Sequence, residues 1–224
     1  MKIIAHSFKL AIILSIIWSS GFAVAPEVVL NNRKQATPMI KEKISTMPTK
    51  FHKMNNLRRV QGSPFLAKGE YLFFEGYITD LLGNPVENAK IYLWQTNMFG
   101  YYNHLIRQTE DDSKYDIDFI GTGSYVTDNM GYYNFTTIMP GYYKNRAPHL
   151  ILLIKHEFFP EDFQTEIFFP GHPKNLEDDI YTTLSEQKRH AATCKITDLN
   201  PKNPADGKYA LFNIRLDWIH PYRN

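Results

Sequence analysis

The sequence lacks a second cysteine that could cross-link it and an excess of basic residues that would favour binding to polyanions. It has 224 residues and a single cysteine, Cys194, so no disulfide can form within the chain and stability must come from core packing. Lysine and arginine number 25 against 23 acidic residues, and a formal net charge of +2 gives no strong field for binding phosphates. The chain also lacks a phosphate-cradling glycine loop. A nucleic-acid partner is therefore not expected.

Apolar runs long enough to cross a membrane are also lacking. Near the amino terminus, Lys2 and Lys9 precede an apolar run at residues 10–18, and small residues follow as far as Ala25. A membrane-spanning helix needs about 20 apolar residues, whereas this shorter order is typical of a secretory signal peptide. We expect a signal at residues 1–23, a periplasmic or secreted mature protein and no membrane span after signal removal. An uncleaved anchor or a buried helix is the alternative interpretation.

Aromatic residues are abundant, with 14 Tyr, 15 Phe and 3 Trp, and such residues favour β-sheets. From residue 70 onward, short apolar or alternating runs are separated by turn signals such as Gly83-Asn84-Pro85. The runs lie at 71–78, 89–96, 124–128, 131–138, 149–156, 165–170 and 209–218. Seven short strands predict an all-β domain, a sandwich or barrel, over residues 70–224.

Two segments do not follow the strand pattern. Residues 24–69 show no clean hydrophobic period, so they are predicted to form an amino-terminal arm or linker. Residues 174–188 are predicted to form one helix or helical turn outside the sheets.

The motifs W-Q-T-N-M-F-G-Y-Y and M-P-G-Y-Y-K-N-R-A-P-H are the most specific in the chain. They fall within residues 74–104 and 127–150, and related blocks at 163–173 and 209–217 follow in the same order. Together they resemble the intradiol ring-cleavage dioxygenases, the protocatechuate and catechol dioxygenase family. The resemblance implies a β-sandwich and a non-haem Fe(III) cofactor. It also implies a reaction that inserts O2 between the hydroxyl-bearing carbons of a small aromatic diol, and a homo-oligomer.

The family binds iron through two tyrosines and two histidines, and the resemblance assigns three of these ligands here. Tyr102 follows the W-Q-x-N motif and a glycine, Tyr143 follows the Pro-Gly turn, and His149 ends the sequence that begins at Arg146. Phenolate oxygens suit Fe(III) because it is a hard cation, and they also offset two of its charges. Ile151 stands where the second histidine would be.

The resemblance also implies roles around the iron. Tyr143 matches the tyrosinate that the bound diol displaces, and Arg146 matches an arginine that lines the substrate site. Glu166 occupies a position where the family often has glutamine, so it adds a negative charge beside the predicted site. A structural role for Glu166, solvated or paired on its strand, is the alternative.

The missing histidine leaves two hypotheses about function. Loss of a ligand should weaken iron binding unless another group fills the position. His172 is one candidate replacement, whereas His156 lies seven residues after His149, an odd offset that points it to the other face of a regular strand. The chain is thus predicted to be an exported intradiol-type dioxygenase or, alternatively, a metal-free binding or scaffold protein on the same sandwich.

We predict that residues 1–23 are removed during export. The basic, apolar and small-residue order of the first 25 positions is the physical reason. Amino-terminal sequencing of the protein recovered outside the cytoplasm should begin at Val24. Full-length protein with an intact amino terminus in the cytoplasmic fraction would contradict this prediction.

Overall fold

Nine strands form two sheets within the residues that the computed structural model describes, which are 35–41, 46–105 and 112–221. The predicted signal lies outside the described residues. The strands are β1 (Tyr71–Thr79), β2 (Lys90–Trp94), β3 (Thr122–Val126), β4 (Tyr132–Ile138), β5 (His149–Lys155), β6 (Phe163–Phe168), β7 (Lys195–Asp198), β8 (Lys208–Leu211) and β9 (Ile214–Arg215). The first sheet has the order β4-β1-β8-β7, with β9 also pairing with β1, and the second has the order β3-β2-β5-β6. The predicted β-sandwich is confirmed.

Six of the seven predicted strand runs correspond to β1–β6, and the last run divides into β8 and β9. The break falls at Phe212 and Asn213, where the Asn213 side chain accepts a hydrogen bond from the Tyr77 backbone N–H at 3.1 Å. Phe212 O accepts from the Tyr133 hydroxyl at 2.6 Å. The Phe212 N–H still donates to Glu75 O at 2.9 Å, but at these two residues hydrogen bonds to side chains interrupt the regular strand. Strand β7 was not predicted, because its sequence Lys-Ile-Thr-Asp is short and largely polar.

The tract at 174–188 contains helical turns but no continuous helix. Single 3₁₀ turns form at Pro173–Glu177 and Tyr181–Thr183, and the short helix α1 (Glu186–Ala191) follows. Asp178 and Ser185 are extended, and their side chains accept backbone N–H groups of the next turn. These side-chain hydrogen bonds start a new turn each time and so interrupt a longer helix. In the described ranges, no helix is long and apolar enough to cross a membrane.

The main core lies between the two sheets, and β5 contributes alternate residues to it. Leu150, Leu152 and Ile154 are fully buried there, with Phe74 and Phe135 from the first sheet. His149 and Ile151 point to the other face of the sheet, as the two-residue period of a strand predicts. Strand β5 is nevertheless buried on both faces as far as Leu153. A second layer must therefore cover its outer face.

The predicted arm supplies this second layer. Phe51 packs its ring against Tyr92 and Trp94, with centroids 4.9 and 5.8 Å apart. Thr46 Oγ1 accepts a hydrogen bond from the indole N–H of Trp94 at 3.0 Å. The arm therefore covers the outer face of β2 and β5.

Further along, the same segment enters the main core. Leu57 is fully buried there, and its backbone N–H donates to Thr136 O at 2.8 Å. Residues 46–69 thus pack as part of the sandwich, upstream of the boundary predicted at residue 70. The sequence shows no period here because these residues form an isolated bridge and loops instead of a regular strand.

We predict that Leu152→Ala lowers the free energy of unfolding by about 2–5 kcal/mol, because it truncates a fully buried core side chain. Leu176→Ala is the control, since Leu176 is 77% exposed and its truncation should change stability by less than about 0.5 kcal/mol. Chemical denaturation measures both. A loss below about 1 kcal/mol for Leu152→Ala would show that the orientation of β5 is wrong.

Candidate metal centre

Tyr102 and His149 meet on the outer face of the β2–β5 sheet. The Tyr102 hydroxyl oxygen lies 3.3 Å from His149 Nε2, and both side chains are buried, with relative exposures of 1% and 3%. Tyr102 follows the loop after β2, whereas His149 is the first residue of β5. Two candidate ligands that lie 47 residues apart in sequence are therefore in direct contact.

The loop before Tyr102 is shaped by Asn97. Its side-chain oxygen accepts the backbone N–H groups of Phe99 and Tyr101 at 3.0 and 3.1 Å. Gly100 has φ +83°, and its backbone lies against the carbonyl of Tyr142, so a Cβ at this position would clash. This close approach joins the loop that carries Tyr102 to the loop that carries Tyr143.

The His149 ring is held in one tautomer. Its Nδ1 lies 2.6 Å from Ala147 O, and a carbonyl can only accept, so Nδ1 carries the proton. Nε2 then has a lone pair, which accepts from the Tyr102 hydroxyl. Burial and the nearby Arg146 charge lower the pKa of His149 to about 4, so the imidazole is neutral at neutral pH. A neutral imidazole with one oriented lone pair is the form that binds metals.

Tyr143 lies beside this pair on a tight turn. Tyr143 and Arg146 exchange backbone hydrogen bonds of 2.8 and 3.1 Å, and Lys144 between them has φ +52°. The Tyr143 ring meets the Tyr102 ring edge to face, with centroids 5.1 Å apart. The three side chains that the resemblance assigns to iron binding thus lie in one cluster, and Tyr143 is its half-buried member.

Ile151 occupies the fourth position on the same face. It is fully buried and packs in a cluster with Trp94, Tyr102 and Leu153. An aliphatic side chain offers no donor atom, so Ile151 itself cannot bind a metal.

Arg146 is bound between two buried carboxylates. Its Nε donates to Asp178 Oδ2 at 3.0 Å, and its NH2 group contacts Glu166 Oε2. Both carboxylate side chains are fully buried, and the Arg146 side chain is 11% exposed. Burial by itself lowers the pKa of Arg146, but Glu166 and Asp178 together raise it above its ordinary value. The guanidinium therefore stays charged, and Glu166 is a buried ion-pair partner.

The role of Asp178 was not predicted from the sequence. Its Oδ2 also accepts the Ala147 backbone N–H at 2.7 Å, and its Oδ1 accepts those of Ile180 and Tyr181 at 2.8 Å. An aspartate before a turn is a recognisable local signal. Its contact with Arg146, 32 residues earlier in the chain, has no such signal.

The other two histidines considered have local partners elsewhere. His156 lies beyond the end of β5 and packs against Phe159 and Trp218, with ring centroids 5.1 and 5.9 Å away. His172 Nδ1 accepts the backbone N–H of Lys174 at 3.2 Å, which begins the turn at Pro173–Glu177. The structure thus gives no support for either as the missing ligand.

The cluster has the chemistry of a partial iron site. Across the described ranges, no three His, Cys, Asp or Glu side chains come together as a metal site, so a metal centre here depends on the two phenols. Two ligands that bind one ion at about 2.0–2.2 Å each lie roughly 3 Å apart. The 3.3 Å separation of Tyr102 Oη and His149 Nε2 agrees with this distance. The donor types in the cluster, two phenols and one imidazole, suit iron, and Ile151 leaves one position without a donor.

Comparison with known proteins identifies the family. Residues 47–217 match the family model described as Dioxygenase. The chain belongs to the intradiol ring-cleavage dioxygenases. It is 33% identical over 128 residues to the protocatechuate 3,4-dioxygenase beta chain of Burkholderia cepacia, covering 54% of each chain. It is also 26% identical over 172 residues to the catechol 1,2-dioxygenase of Acinetobacter baylyi, covering 66% of this chain and 52% of that one. The chain therefore spans about half the length of these relatives.

Solved structures show the same fold. The intradiol ring-cleavage dioxygenase from Tetranychus urticae aligns with a TM-score of 0.64 at 20% identity, covering 83% of this chain and 96% of that one. The dioxygenase domain of a carbohydrate-binding fusion protein from Streptomyces sp. SirexAA-E aligns with a TM-score of 0.62 at 22% identity, covering 82% and 99%. At these identities the likeness establishes the fold alone.

We predict that Asp178→Asn lowers the free energy of unfolding by about 3–5 kcal/mol, because it removes one partner of a buried ion pair. Asp179→Asn is a matched control on the adjacent, exposed residue and should cost less than about 0.5 kcal/mol. Chemical denaturation of both variants measures the difference. Equal losses for the two variants would show that Asp178 does not hold Arg146 and Ala147.

Proposed function

We propose that this protein is an intradiol-type dioxygenase that inserts both atoms of O2 into the ring of a small catechol-like diol. The observation that carries the proposal is the contact of Tyr102 with His149, beside Tyr143, at the positions the family uses for non-haem Fe(III). Family membership supports the reaction class. The relatives named above act on protocatechuate or catechol, as their names state, and we propose a diol of this class here.

The three donor side chains would contribute differently to iron binding. Tyr102 and Tyr143 as phenolates offset two of the three ferric charges, and His149 contributes a neutral lone pair directed by Ala147 O. A ferric ion held by Tyr102, Tyr143 and His149 would supply a Lewis-acid centre that both hydroxyl oxygens of the diol could bind, and this would favour reaction of the diol with O2. Tyr143 is half-buried on a tight turn and packs less closely than Tyr102. It is therefore the donor better suited to move away and take a proton from the entering diol.

The surrounding side chains shield the donors from water. Trp94, Ile151 and Leu153 form an apolar surface beside Tyr102, and Phe51 from the arm packs against it. Exclusion of water strengthens the interactions of charged groups inside such a site. The charge of Arg146 lies near His149, where it helps burial to lower the pKa of the imidazole. The same charge is expected to stabilise negative charge on the substrate.

Export and self-association are further parts of the proposal. The amino-terminal sequence pattern supports secretion to the periplasm or the medium. The family resemblance supports a homo-oligomer.

A metal-free binding protein on the same sandwich is the second candidate. The observation that favours it is the buried aliphatic Ile151 at a ligand position. It would retain the apolar surface beside Tyr102 without redox chemistry.

The two candidates differ in colour and iron content. We predict that purified protein supplied with ferric iron shows a visible tyrosinate-to-iron charge-transfer band and takes up oxygen when a catechol is added. Tyr102→Phe removes one phenolate, so iron affinity should fall at least about 10–100-fold and oxygen uptake should fall to background. Tyr77→Phe is the control, because Tyr77 lies in the other sheet and packs against Tyr132.

Iron analysis, visible absorption and oxygen uptake give the readouts. Colourless protein that holds no iron and consumes no oxygen, but still binds catechols, would favour the metal-free binding protein. Equal loss of iron in both tyrosine variants would contradict the assignment of Tyr102.

A further inference from the structure

The charges around the candidate centre are balanced only when one more carboxylate is included. This argument rests on the proposed function. A ferric ion with Tyr102 and Tyr143 as phenolates and His149 neutral retains one positive charge. Burial of an uncompensated charge is costly. Arg146 and Asp178 offset each other in their ion pair, which leaves the negative charge of Glu166 to balance that of the ion.

The sheet register brings Glu166 next to the position that lacks a donor. In the antiparallel pair of β5 and β6, Glu166 is the direct partner of Ile151, and Phe168 is the partner of His149. Direct partners project to the same face, with Cβ atoms about 4.5–5.5 Å apart. The backbone of Glu166 therefore lies one strand away from the position of the missing imidazole, and its side chain projects from the face that carries His149. Its side chain is fully buried, and its carboxylate contacts Arg146, which follows the turn that carries Tyr143.

The contact with Arg146 is compatible with metal binding by the same carboxylate. A carboxylate has two oxygens and about four acceptor positions, so it can bind an ion while it accepts from a guanidinium. Carboxylates that bind metals are commonly hydrogen-bonded in this way, which orients them. Asp178 accepts a hydrogen bond from Arg146 and holds the guanidinium in place, so Arg146 can orient the Glu166 carboxylate.

We propose that Glu166 supplies the fourth protein donor in place of the imidazole that Ile151 cannot provide. The resulting set has two phenolates, one carboxylate and one imidazole. Its three anionic oxygens match the hard ferric ion and neutralise it. Arg146 then acts on the centre as a positioning residue through Glu166.

Three variants test this proposal through iron content and the charge-transfer band. Glu166→Gln keeps the shape of the side chain and an acceptor for Arg146 but removes the charge, so iron affinity should fall at least about tenfold and the band should shift. The double variant Ile151→His with Glu166→Gln offers an imidazole instead and should regain iron. Glu161→Gln is the control, because Glu161 is an exposed partner of Lys41, and its iron content should be unchanged. Circular dichroism and thermal unfolding report whether each variant is folded.

The outcomes separate this inference from the proposed function. If the unsubstituted protein binds iron and Glu166→Gln binds it equally well with the same band, Glu166 is not a donor and only this inference is overturned. A change in KM for catechol with unchanged iron binding also overturns it, since Glu166 would then act only on the substrate side. If the unsubstituted protein binds no ferric iron, the proposed function and this inference both fail. If Glu166→Gln fails to fold, Glu166→Asp takes its place, because the shorter side chain keeps the negative charge but withdraws its oxygens from the ion. Iron affinity and an absorption band equal to those of the unsubstituted protein would then overturn the proposal.

Discussion

The register of β5 between its two neighbours is the constraint on which the site depends. One face of this strand places Leu150, Leu152 and Ile154 in the core between the sheets, while the other directs His149 and Ile151 outward. A shift of one residue would exchange these faces, so core packing also fixes the position of the imidazole. The arm completes the arrangement, because Phe51 and Thr46 cover the outer face and make it an interior.

Buried charge is the second determinant of the site. Arg146 follows the turn that carries Tyr143, and it contacts one carboxylate from β6 and another from the turn after β6. Such a triad is costly to bury unless every partner is held in place. Asp178 meets this condition with three backbone N–H groups and the Arg146 side chain. The same network that stabilises the loops thus sets the charge beside the candidate donors.

Much of this organisation follows from sequence. Alternation and turn residues predicted seven strands, of which six correspond to β1–β6. The family motifs led to Tyr102, Tyr143, His149 and Arg146, whose side chains the structure brings close together. Local patterns did not reveal the contact of Asp178 with Arg146 or the packing of Leu57, because both depend on partners that are distant in sequence. Residues 174–188 formed separate turns because side-chain hydrogen bonds outweighed helix propensity there. The short, polar β7 is stabilised by pairing with β8.

The central claim is that a ferric ion binds where Tyr102, Tyr143 and His149 meet, with Glu166 beside them. The most direct measurement is anomalous diffraction at the iron absorption edge from crystals of the ferric-loaded protein. The account predicts one strong peak per chain, bonded to the two tyrosine oxygens, His149 Nε2 and a Glu166 oxygen. No peak at this cluster, or a peak only at other histidines, would contradict the account.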